Sequence, residues 1–457
     1  MSTHTPHIYF LGIGGIGMSA LARYFSNRGV RISGYDKTAT DLTAELQAEG
    51  MNIHYTDSPE LIPTDIDYVV YTPAIPSDQK ELLEIKRRGL TLKKRAQVLG
   101  DISRTTRCLA VAGTHGKTTT STLLTHLLRE SEIDVTAFVG GISANYNTNY
   151  LIGNSDVMVA EADEYDRSFL QLSPQGIIIT SCDPDHLDIY GSGDQVHSSF
   201  NEFLNSIAAN GCAVVKHGLP LAYTGSSASA ASVTTYGIEC GENYASNISV
   251  NNGAFCFDYT GKRLSIKNLQ LSVPGRHNVE NAVAAITLAL EFGATEKGII
   301  KGIESFKGVH RRFEYAGKSA NAVVIDDYAH HPAELRATIG AARELFPKRK
   351  ISGIFQPHLF SRTRDFENEF AQSLSLLDEV VLLDIYPARE LPIPGVTSEN
   401  LLAKITAGWK AKWNYSEVVA ESAKHKFDVL LMMGAGDIDR LVKPVAEVVT
   451  GKGGVNG

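Results

Sequence analysis

A glycine-rich loop followed by a lysine and a run of threonines carries the strongest chemical signal in the sequence. The loop runs from Gly113 to Thr118 (GTHGKT), after the apolar run 108–112 and before a segment with helical periodicity. Glycines let backbone N–H groups converge on phosphate oxygens, and the N-terminus of the following helix adds positive potential. Lys117 can then reach the β- and γ-phosphates, while the Thr118 hydroxyl can bind Mg²⁺. The loop is two residues shorter between its glycines than G-x-x-x-x-G-K-[ST], but its chemistry still predicts a nucleoside triphosphate site.

Two clusters of acidic residues follow at the ends of predicted strands. Their members are Glu161, Asp163, Glu164 and Asp166 in the first cluster and Asp183, Asp185, His186 and Asp188 in the second. Each cluster alone is most simply a solvated turn or a helix cap. The carboxyl ends of parallel strands meet in one crevice, however, and carboxylate oxygens suit Mg²⁺. Together with the phosphate loop, the clusters predict an active site for a metal–nucleotide complex.

A second glycine loop lies about a hundred residues earlier. Gly12, Gly14 and Gly17 satisfy G-x-G-x-x-G between a predicted strand and helix, and Asp36 ends the next strand. Asp36 stands near the offset expected of a ribose-binding acid, which is typical of a nicotinamide or flavin site. Any nucleoside diphosphate offers similar oxygens to the same helix end, and a packing turn without ligand fits the pattern too. The loop therefore leaves an NAD-dependent oxidoreductase open as an alternative.

Histidines and arginines gather at predicted strand ends in the last third of the chain. Arg312, Asp327, His330 and Arg362 belong to this set. Such groups are costly to bury without partners, so they face solvent or line a cleft that binds anions. A glycine turn at 434–437 follows a further predicted strand, and its residue types indicate no particular chemistry.

The elements that must position these residues form three α/β units in series. Short β-branched runs alternate with helical segments, a pattern that predicts parallel sheets with helical crossovers. We expect an N-terminal Rossmann-like domain at 1–107, a central P-loop ATPase-type domain at 108–315 and a C-terminal Rossmann-like domain at 316–457. The looser stretch 219–268 predicts a small antiparallel subsheet within the central domain.

Composition narrows the class of protein. The chain has 457 residues, 43% of them hydrophobic and 21% charged, with a formal net charge of −8. These values predict a soluble multidomain protein without a basic surface for nucleic acid. The sequence has no apolar run of about 18 residues for a membrane span and no secretory signal at its N-terminus. Five cysteines without CxxC spacing favour reduced thiols and a cytoplasmic location.

The ordered series of motifs resembles the Mur ligase family from about His7 to Asp439. The motifs are GIGGIGMS, GTHGKTTT, EADEYDRSF, DHLDIYG, PGRHNVENA, HRRFE, DDYAHHPAE and SRTRDF. The resemblance implies that the first domain binds the UDP of a sugar substrate and that the central loop binds ATP. It is strongest to the alanine-adding branch, which joins L-alanine to the carboxylate of UDP-N-acetylmuramate in peptidoglycan precursor synthesis. That reaction passes through an acyl phosphate and yields ADP and phosphate.

The resemblance also implies a role for individual residues. ATP binding falls to Gly113, Thr114, His115, Gly116, Lys117, Thr118, Thr119, Asn278, Asn281, Arg312 and Asp327. UDP-sugar binding falls to Gly12, Gly14, Gly15, Gly17, Asp36 and His115, and amino-acid binding to Tyr328, His330 and Arg362. Two Mg²⁺ ions are implied, the first held by Thr118 and the second by Glu161 and His186. Lys117, Glu161 and His186 are the implied catalytic residues.

Two departures from the family pattern refine this interpretation. The segment after His186 has no lysine where several sister ligases carry a carbamylated one, which agrees with the alanine-adding branch. Leu359 stands where alanine-adding members have arginine, so one expected contact to the amino acid or phosphate is missing. A sister ligase that attaches a recycled tripeptide and a non-catalytic nucleotide sensor remain alternatives. The expected partners are small molecules rather than nucleic acid or membrane, in a monomer or a homodimer.

Overall fold

The computed structural model describes residues 5–72, 74–184, 190–225, 231–388 and 390–451. The chain divides into two compact units. Unit 1 comprises Met1–Ser246, Tyr259–Ile266 and Glu280–Ser305, and unit 2 comprises Asn247–Asp258, Lys267–Val279 and Phe306–Gly457.

The first sheet has five parallel strands in the order β3-β2-β1-β4-β5. Its strands are β1 (His7–Leu11), β2 (Arg31–Tyr35), β3 (Asn52–His54), β4 (Tyr68–Tyr71) and β5 (Leu92–Lys94). Its helices are α1 (Ile16–Ser26), α2 (Asp41–Ala48), α3 (Lys80–Arg87) and α4 (Arg95–Ser103), with a 3-10 turn at Pro59–Leu61. Every residue of β1 is buried, because helices cover both faces of a parallel sheet.

The second sheet has ten strands in the order β15-β14-β13-β12-β11-β10-β6-β9-β7-β8. They are β6 (Arg107–Ala112), β7 (Thr136–Ser143), β8 (Thr148–Leu151), β9 (Val157–Ala162), β10 (Pro174–Ile179), β11 (Cys212–Lys216), β12 (Ser232–Ile238), β13 (Asn243–Asn251), β14 (Ala254–Thr260) and β15 (Ser265–Leu271). The helices are α5 (Lys117–Glu130), α6 (Gly193–Asn205), α7 (Arg276–Glu291) and α8 (Glu296–Ser305), with a 3-10 segment at Tyr165–Gln171. Asn252 and Gly253 link β13 to β14 with positive φ angles of 50° and 83°, as a two-residue antiparallel hairpin requires.

The third sheet has six strands in the order β16-β17-β21-β18-β19-β20, and β16 alone is antiparallel to its neighbour. They are β16 (Glu314–Lys318), β17 (Val323–Asp327), β18 (Ile351–Phe355), β19 (Glu379–Leu382), β20 (Trp409–Lys412) and β21 (Val429–Met433). The helices are α9 (Pro332–Leu345), α10 (Phe360–Asp365), α11 (Glu367–Leu374), α12 (Ser398–Lys404), α13 (Val418–Lys424) and α14 (Asp439–Thr450), with a 3-10 turn at Tyr415–Glu417. The predicted fold class, three α/β sheets in series, is confirmed.

Within unit 1, the first two sheets share one hydrophobic core. Buried residues from Ile8 on β1 to Val215 on β11 form a single apolar cluster. The Asn149 side chain on β8 donates hydrogen bonds to the Ile16 carbonyl and to Ser19 Oγ of α1. Gly100 of α4 packs so closely on Gln171 that a Cβ there would collide with the Gln171 carbonyl. These contacts fix the first glycine loop relative to the second sheet.

Two exclusions follow for the part of the chain that the structure describes. No helix there combines the length and the apolar character that crossing a lipid bilayer would need. Cys108, Cys182, Cys212, Cys240 and Cys256 are all free thiols.

Candidate active site

The phosphate loop between β6 and α5 depends on its two glycines. Gly113 has φ 143° and Gly116 has φ 80°, both in the region that side-chain-bearing residues rarely adopt. A Cβ on Gly113 would collide with Thr180 Oγ1, and a Cβ on Gly116 would lie 2.8 Å from Asn281 Oδ1. The two glycines therefore let the loop pack closely against Thr180 and Asn281, and α5 begins at Lys117 directly behind it.

Two hydroxyl residues after β10 brace this loop from behind. Ser181 Oγ accepts a hydrogen bond from the His115 amide at 2.8 Å and lies 2.8 Å from Thr114 Oγ1. Thr180 Oγ1 donates to the His115 carbonyl. Motif analysis did not identify these residues, although their place at the C-terminal end of a central strand is a signal that could have found them.

Lys117 lies in a pocket of carboxylates. Its Nζ donates to the Gly113 carbonyl at 2.7 Å and pairs with the Glu164 carboxylate at 2.7 Å. Burial by itself lowers the pKa of Lys117, but the charges of Glu164, Asp163 and Glu161 outweigh it and raise the pKa above the usual lysine range. The side chain is therefore cationic at neutral pH and opposes the charge of a bound triphosphate.

The residues predicted to hold Mg²⁺ lie together where the structure describes them. Thr118 Oγ1 donates to Glu161 Oε1 at 3.0 Å, and the other carboxylate oxygen accepts from the Gly140 amide at 2.8 Å. A hydroxyl and a carboxylate are hard oxygen donors, so the pair fits Mg²⁺. His186 lies outside the described residues, and the described residues contain no cluster of three or more metal-binding side chains.

Three further residues predicted to bind ATP, Thr119, Asn278 and Asn281, lie on two helices. Thr119 is buried in the first turn of α5, and Asn281 of α7 lies beside Gly116. Asn278 belongs to unit 2, where its side-chain amide donates to the Pro274 carbonyl at 2.6 Å.

The first glycine loop joins β1 to α1. The amide of Gly12, which has φ 83°, donates to the Tyr35 carbonyl at 2.8 Å, and Gly15 caps α1. Asp36 Oδ2 accepts from the Gly14 amide at 2.8 Å, and Gly14 leaves no room for a Cβ against that carboxylate. The predicted ribose-binding acid thus also holds the loop in shape.

An arginine that motif analysis missed lies against Gly17. A Cβ on Gly17 would stand 2.9 Å from Arg95 Nη1, so the guanidinium lies directly against the first turn of α1. Arg95 Nη2 lies 3.6 Å from Asp163 Oδ2, beyond hydrogen-bond range.

Unit 2 places Asp327 at the C-terminal end of β17. Its carboxylate accepts hydrogen bonds from the Phe313 and Ala329 amides, each at 2.8 Å. Burial raises the pKa of Asp327, and the opposing charge of Arg312 does not cancel this effect. The acid therefore fixes the segment that carries Arg312.

A single carboxylate links Arg312 to His330. Glu334 Oε1 lies 3.7 Å from Arg312 Nη1, and Glu334 Oε2 lies 3.3 Å from His330 Nδ1. The Arg312 guanidinium stands 5.0 Å from the centre of the Tyr328 ring. Burial, with Arg362 acting in the same direction, lowers the pKa of His330 to about 3, so its imidazole is neutral. Glu334 was missed because its partner Arg312 becomes a neighbour only in the fold, although His330 is four residues away in the sequence.

Arg362 and Leu359 lie at the start of α10. Arg362 is buried, with 7% of its surface exposed. Leu359 precedes the helix with φ 72°, a left-handed conformation that costs a branched side chain about 1 kcal/mol or more. Its amide donates to the Tyr386 carbonyl at 3.0 Å, and Tyr386 also stacks on His358.

The turn at 434–437 is braced from within the third sheet. Gln356 Nε2 donates to Asp437 Oδ1 at 2.8 Å, and Gln356 Oε1 accepts from the Ile438 amide at 3.0 Å. Gly434, with φ 147°, packs on the Gln356 backbone. These contacts give the turn a structural role at the end of β21.

Family comparisons cover most of the chain. Residues 7–107 match the Mur ligase family catalytic domain, residues 111–289 the Mur ligase middle domain and residues 311–437 the Mur ligase glutamate ligase domain.

Individual relatives agree with these matches. The UDP-N-acetylmuramate–L-alanine ligase of Parabacteroides distasonis is 49% identical over 451 residues, 97% of this chain and 97% of that protein. The enzyme of the same name from Christiangramia forsetii is 46% identical over 98% of each chain. The crystal structure of UDP-N-acetylmuramate-alanine ligase MurC from Thermotoga maritima superposes with a TM-score of 0.81 at 30% identity, covering 96% of this chain and 98% of that one. The murein peptide ligase mpl of Psychrobacter arcticus reaches 0.72 at 23% identity over 96% and 99% of the two chains, a likeness of fold alone.

Proposed function

This chain belongs to the Mur ligase family, and we propose that it joins L-alanine to the carboxylate of UDP-N-acetylmuramate with conversion of ATP to ADP and phosphate. The observation that carries the proposal is that the two glycine loops of unit 1 have different side chains around them. Only the loop at 113–118 has a lysine that is nearly buried and an adjoining hydroxyl–carboxylate pair. That loop suits phosphoryl transfer, and the loop at 12–17 suits binding alone.

Amide synthesis from a carboxylate needs a leaving group on the carboxyl carbon. The substrate carboxylate oxygen attacks the γ-phosphorus of ATP, the bond to the β–γ bridging oxygen breaks and ADP departs. The L-alanine amine then attacks the acyl phosphate, phosphate leaves from the tetrahedral intermediate and the amine loses a proton. Two anions meet in the first step, so charge neutralisation is the main catalytic requirement.

Lys117 and the loop amides supply that neutralisation in unit 1. We assign the Lys117 ammonium to the β- and γ-phosphate oxygens, where it exchanges Glu164 for the nucleotide. Ser181 and Thr180 keep the loop in the shape that receives the phosphates.

Thr118 and Glu161 are the described residues assigned to Mg²⁺, with His186 completing the set. The bound ions, two by this proposal, supply positive charge and a template for the phosphates and the carboxylate. Gly140 orients Glu161 through its amide, because the peptide N–H holds one carboxylate oxygen and leaves the other toward Thr118.

Unit 2 is assigned to the amino acid and to part of the nucleotide. The Arg362 guanidinium suits the carboxylate of L-alanine by a two-pronged pair. Tyr328 and neutral His330 suit its amine, because a neutral imidazole nitrogen can accept a hydrogen bond from it. Arg312 and Asp327 are assigned to ATP, with the domains at 1–107, 108–315 and 316–457 serving sugar nucleotide, ATP and amino acid. We place the reaction in the cytoplasm, where both nucleotides occur.

The test is phosphate release from ATP and Mg²⁺ with UDP-N-acetylmuramate and one acceptor at a time. L-Alanine, glycine, L-serine and the recycled tripeptide serve as the acceptors. Release should be greatest with L-alanine and absent without the sugar nucleotide. Release with the tripeptide alone would assign the chain to the recycling reaction, and NADH binding at the first loop in place of UDP would point to the oxidoreductase.

A further inference from the structure

The structure brings the cation Arg95 against Gly17, at the end of the first glycine loop. We propose that its guanidinium binds the diphosphate of the sugar nucleotide, and that Asp163 holds it in place when the loop is empty. This inference rests on the proposed function, because it assumes that the loop at 12–17 receives UDP-N-acetylmuramate.

The hydrogen-bonding state of Arg95 supports a role in binding. A guanidinium has five N–H donors, yet that of Arg95 makes no hydrogen bond to any group that the structure describes. Its ion pair with Asp163 spans 3.6 Å, and its side chain is 24% exposed. The donors are therefore open to an oxyanion that reaches the loop.

The position of Arg95 is not explained by the stability of its helix. Arg95 is the first residue of α4, and a cation there opposes the helix dipole. The guanidinium also lies against the first turn of α1, with Nη1 2.9 Å from the place of a Cβ on Gly17. A function that needs positive charge beside the loop accounts for both features.

The loop needs a cation, because its own groups offer less positive potential than a free glycine loop. The Gly14 amide donates to the Asp36 carboxylate, which takes one donor and adds a negative charge. The protein has a net charge of −8, so a diphosphate must find its counter-charge locally. Arg95 supplies that charge in a form suited to two phosphate oxygens at once.

Removing the charge of Asp163 tests the proposal, because the direction of the resulting change in UDP affinity separates a binding role of Arg95 from a structural one. If the Arg95–Asp163 pair were purely structural, removing either charge would damage the loop alike. If Arg95 binds the diphosphate, Asp163 competes with the ligand, and its removal frees the guanidinium. Asp163→Asn keeps the Oδ1 acceptor that the Tyr165 amide uses at 3.1 Å and removes only the charge.

The experiment is calorimetric titration of UDP and of UDP-N-acetylmuramate into the full-length protein without ATP, at fixed ionic strength. Arg95→Ala should weaken UDP binding about 10- to 100-fold, the usual worth of a charge-assisted hydrogen bond. Arg95→Lys should lose only part of this affinity. Asp163→Asn should tighten UDP binding, and ATP affinity of the Arg95 variants should stay within about twofold of wild type, which also verifies their fold.

Arg104→Ala is the matched control, since Arg104 is an exposed cation that pairs with Asp101 of the same helix α4. It should bind UDP as the wild type does. Equal weakening of UDP binding by Arg95→Ala and Asp163→Asn, or unchanged UDP affinity in Arg95→Ala, would overturn the proposal and leave the ligase function standing. A wild-type protein that binds no UDP would overturn both.

Discussion

Lys117 has to stay charged while it is nearly buried, and the carboxylates around it make this possible. Glu164 contributes most, at 2.7 Å from the ammonium. Under the proposed function, Glu164 is thus the counter-ion whose place the phosphate oxygens take when ATP binds. The loop is preorganised, because the cation needs no new burial during the reaction.

Lys117→Ala should abolish ATP-dependent phosphate release and leave UDP affinity nearly unchanged. The reason is that Lys117 begins α5, whereas the loop that we assign to UDP precedes α1. Phosphate release and UDP titration measure the two effects separately. Lys301→Ala, which removes an exposed lysine paired with Glu130 at the other end of α5, is the control and should match the wild type. A joint loss of UDP binding would contradict the assignment of two separate loops.

The neutral state of His330 makes the stability of unit 2 depend on pH. Burial lowers the pKa of His330 from 6.5 to about 3. Below pH 6.5 this imidazole therefore binds a proton in the unfolded chain but not in the folded protein. Stability is therefore lost as the pH falls from about 6.5 toward about 3. This contribution amounts to about 2 kcal/mol at pH 5.

Urea unfolding at pH 7.5 and pH 5 checks this prediction. Both tryptophans, Trp409 and Trp413, belong to unit 2, so their fluorescence reports its unfolding. His330→Gln should lose less stability than the wild type between the two pH values, because glutamine does not titrate. Identical losses would show that His330 is not the group responsible.

At the scale of elements, replacing a glycine inside a helix by alanine is expected to have opposite effects on stability in α4 and α9. Gly100 faces the Gln171 carbonyl with no room for a methyl group, whereas a Cβ added to Gly340 would have nothing within 4 Å of it. Alanine is favoured over glycine in a helix interior by about 1 kcal/mol. Packing therefore decides the sign of each substitution.

Gly340→Ala should raise the stability of unit 2 by about 0.5–1 kcal/mol. Gly100→Ala should lower the stability of unit 1, because the collision with Gln171 outweighs the gain in helix propensity. Thermal unfolding followed by circular dichroism, with tryptophan fluorescence for unit 2, measures both. Stabilisation by Gly100→Ala would mean that α4 moves away from Gln171 at little cost.

The sequence predicted what local patterns encode and missed what the fold brings together. The glycines at positions 113 and 116 predict their own backbone conformation, and the alternating apolar runs predict parallel strands. Ser181 and Glu334 each contact a residue that is far away in the sequence. Glu334 also belongs to a helix cap whose sequence pattern is common. Leu359 has a left-handed backbone that no residue type would suggest. The fold class and the family were thus predictable, while the residues that brace the predicted ones were not.

On the scale of the whole molecule, one apolar cluster of unit 1 spans the first sheet and strands of the second. We expect a fragment of residues 1–107 to fail to fold cooperatively, because α4 residues such as Leu99 and Ile102 share this cluster with Phe169 and Leu172, which lie at the 3-10 segment between β9 and β10. A fragment of residues 1–305, which contains all of unit 1, should unfold cooperatively. Urea titration and binding of a hydrophobic dye to both fragments test this, and a sharp transition in the short fragment would contradict it.

The shared core also constrains how this enzyme can diversify. Exchange of the first domain between relatives would require a boundary near residue 107 that few contacts cross. Contacts do cross it, because α1 accepts a hydrogen bond from Asn149 and α4 packs on the backbone of Gln171. We expect a recombinant that joins the first hundred residues of one relative to the remainder of another to lose these contacts, unless the residues on both sides of each contact are exchanged together. On the proposed assignment of the loop at 12–17, we therefore expect sugar-nucleotide preference to change through point substitutions around that loop rather than through exchange of the first hundred residues.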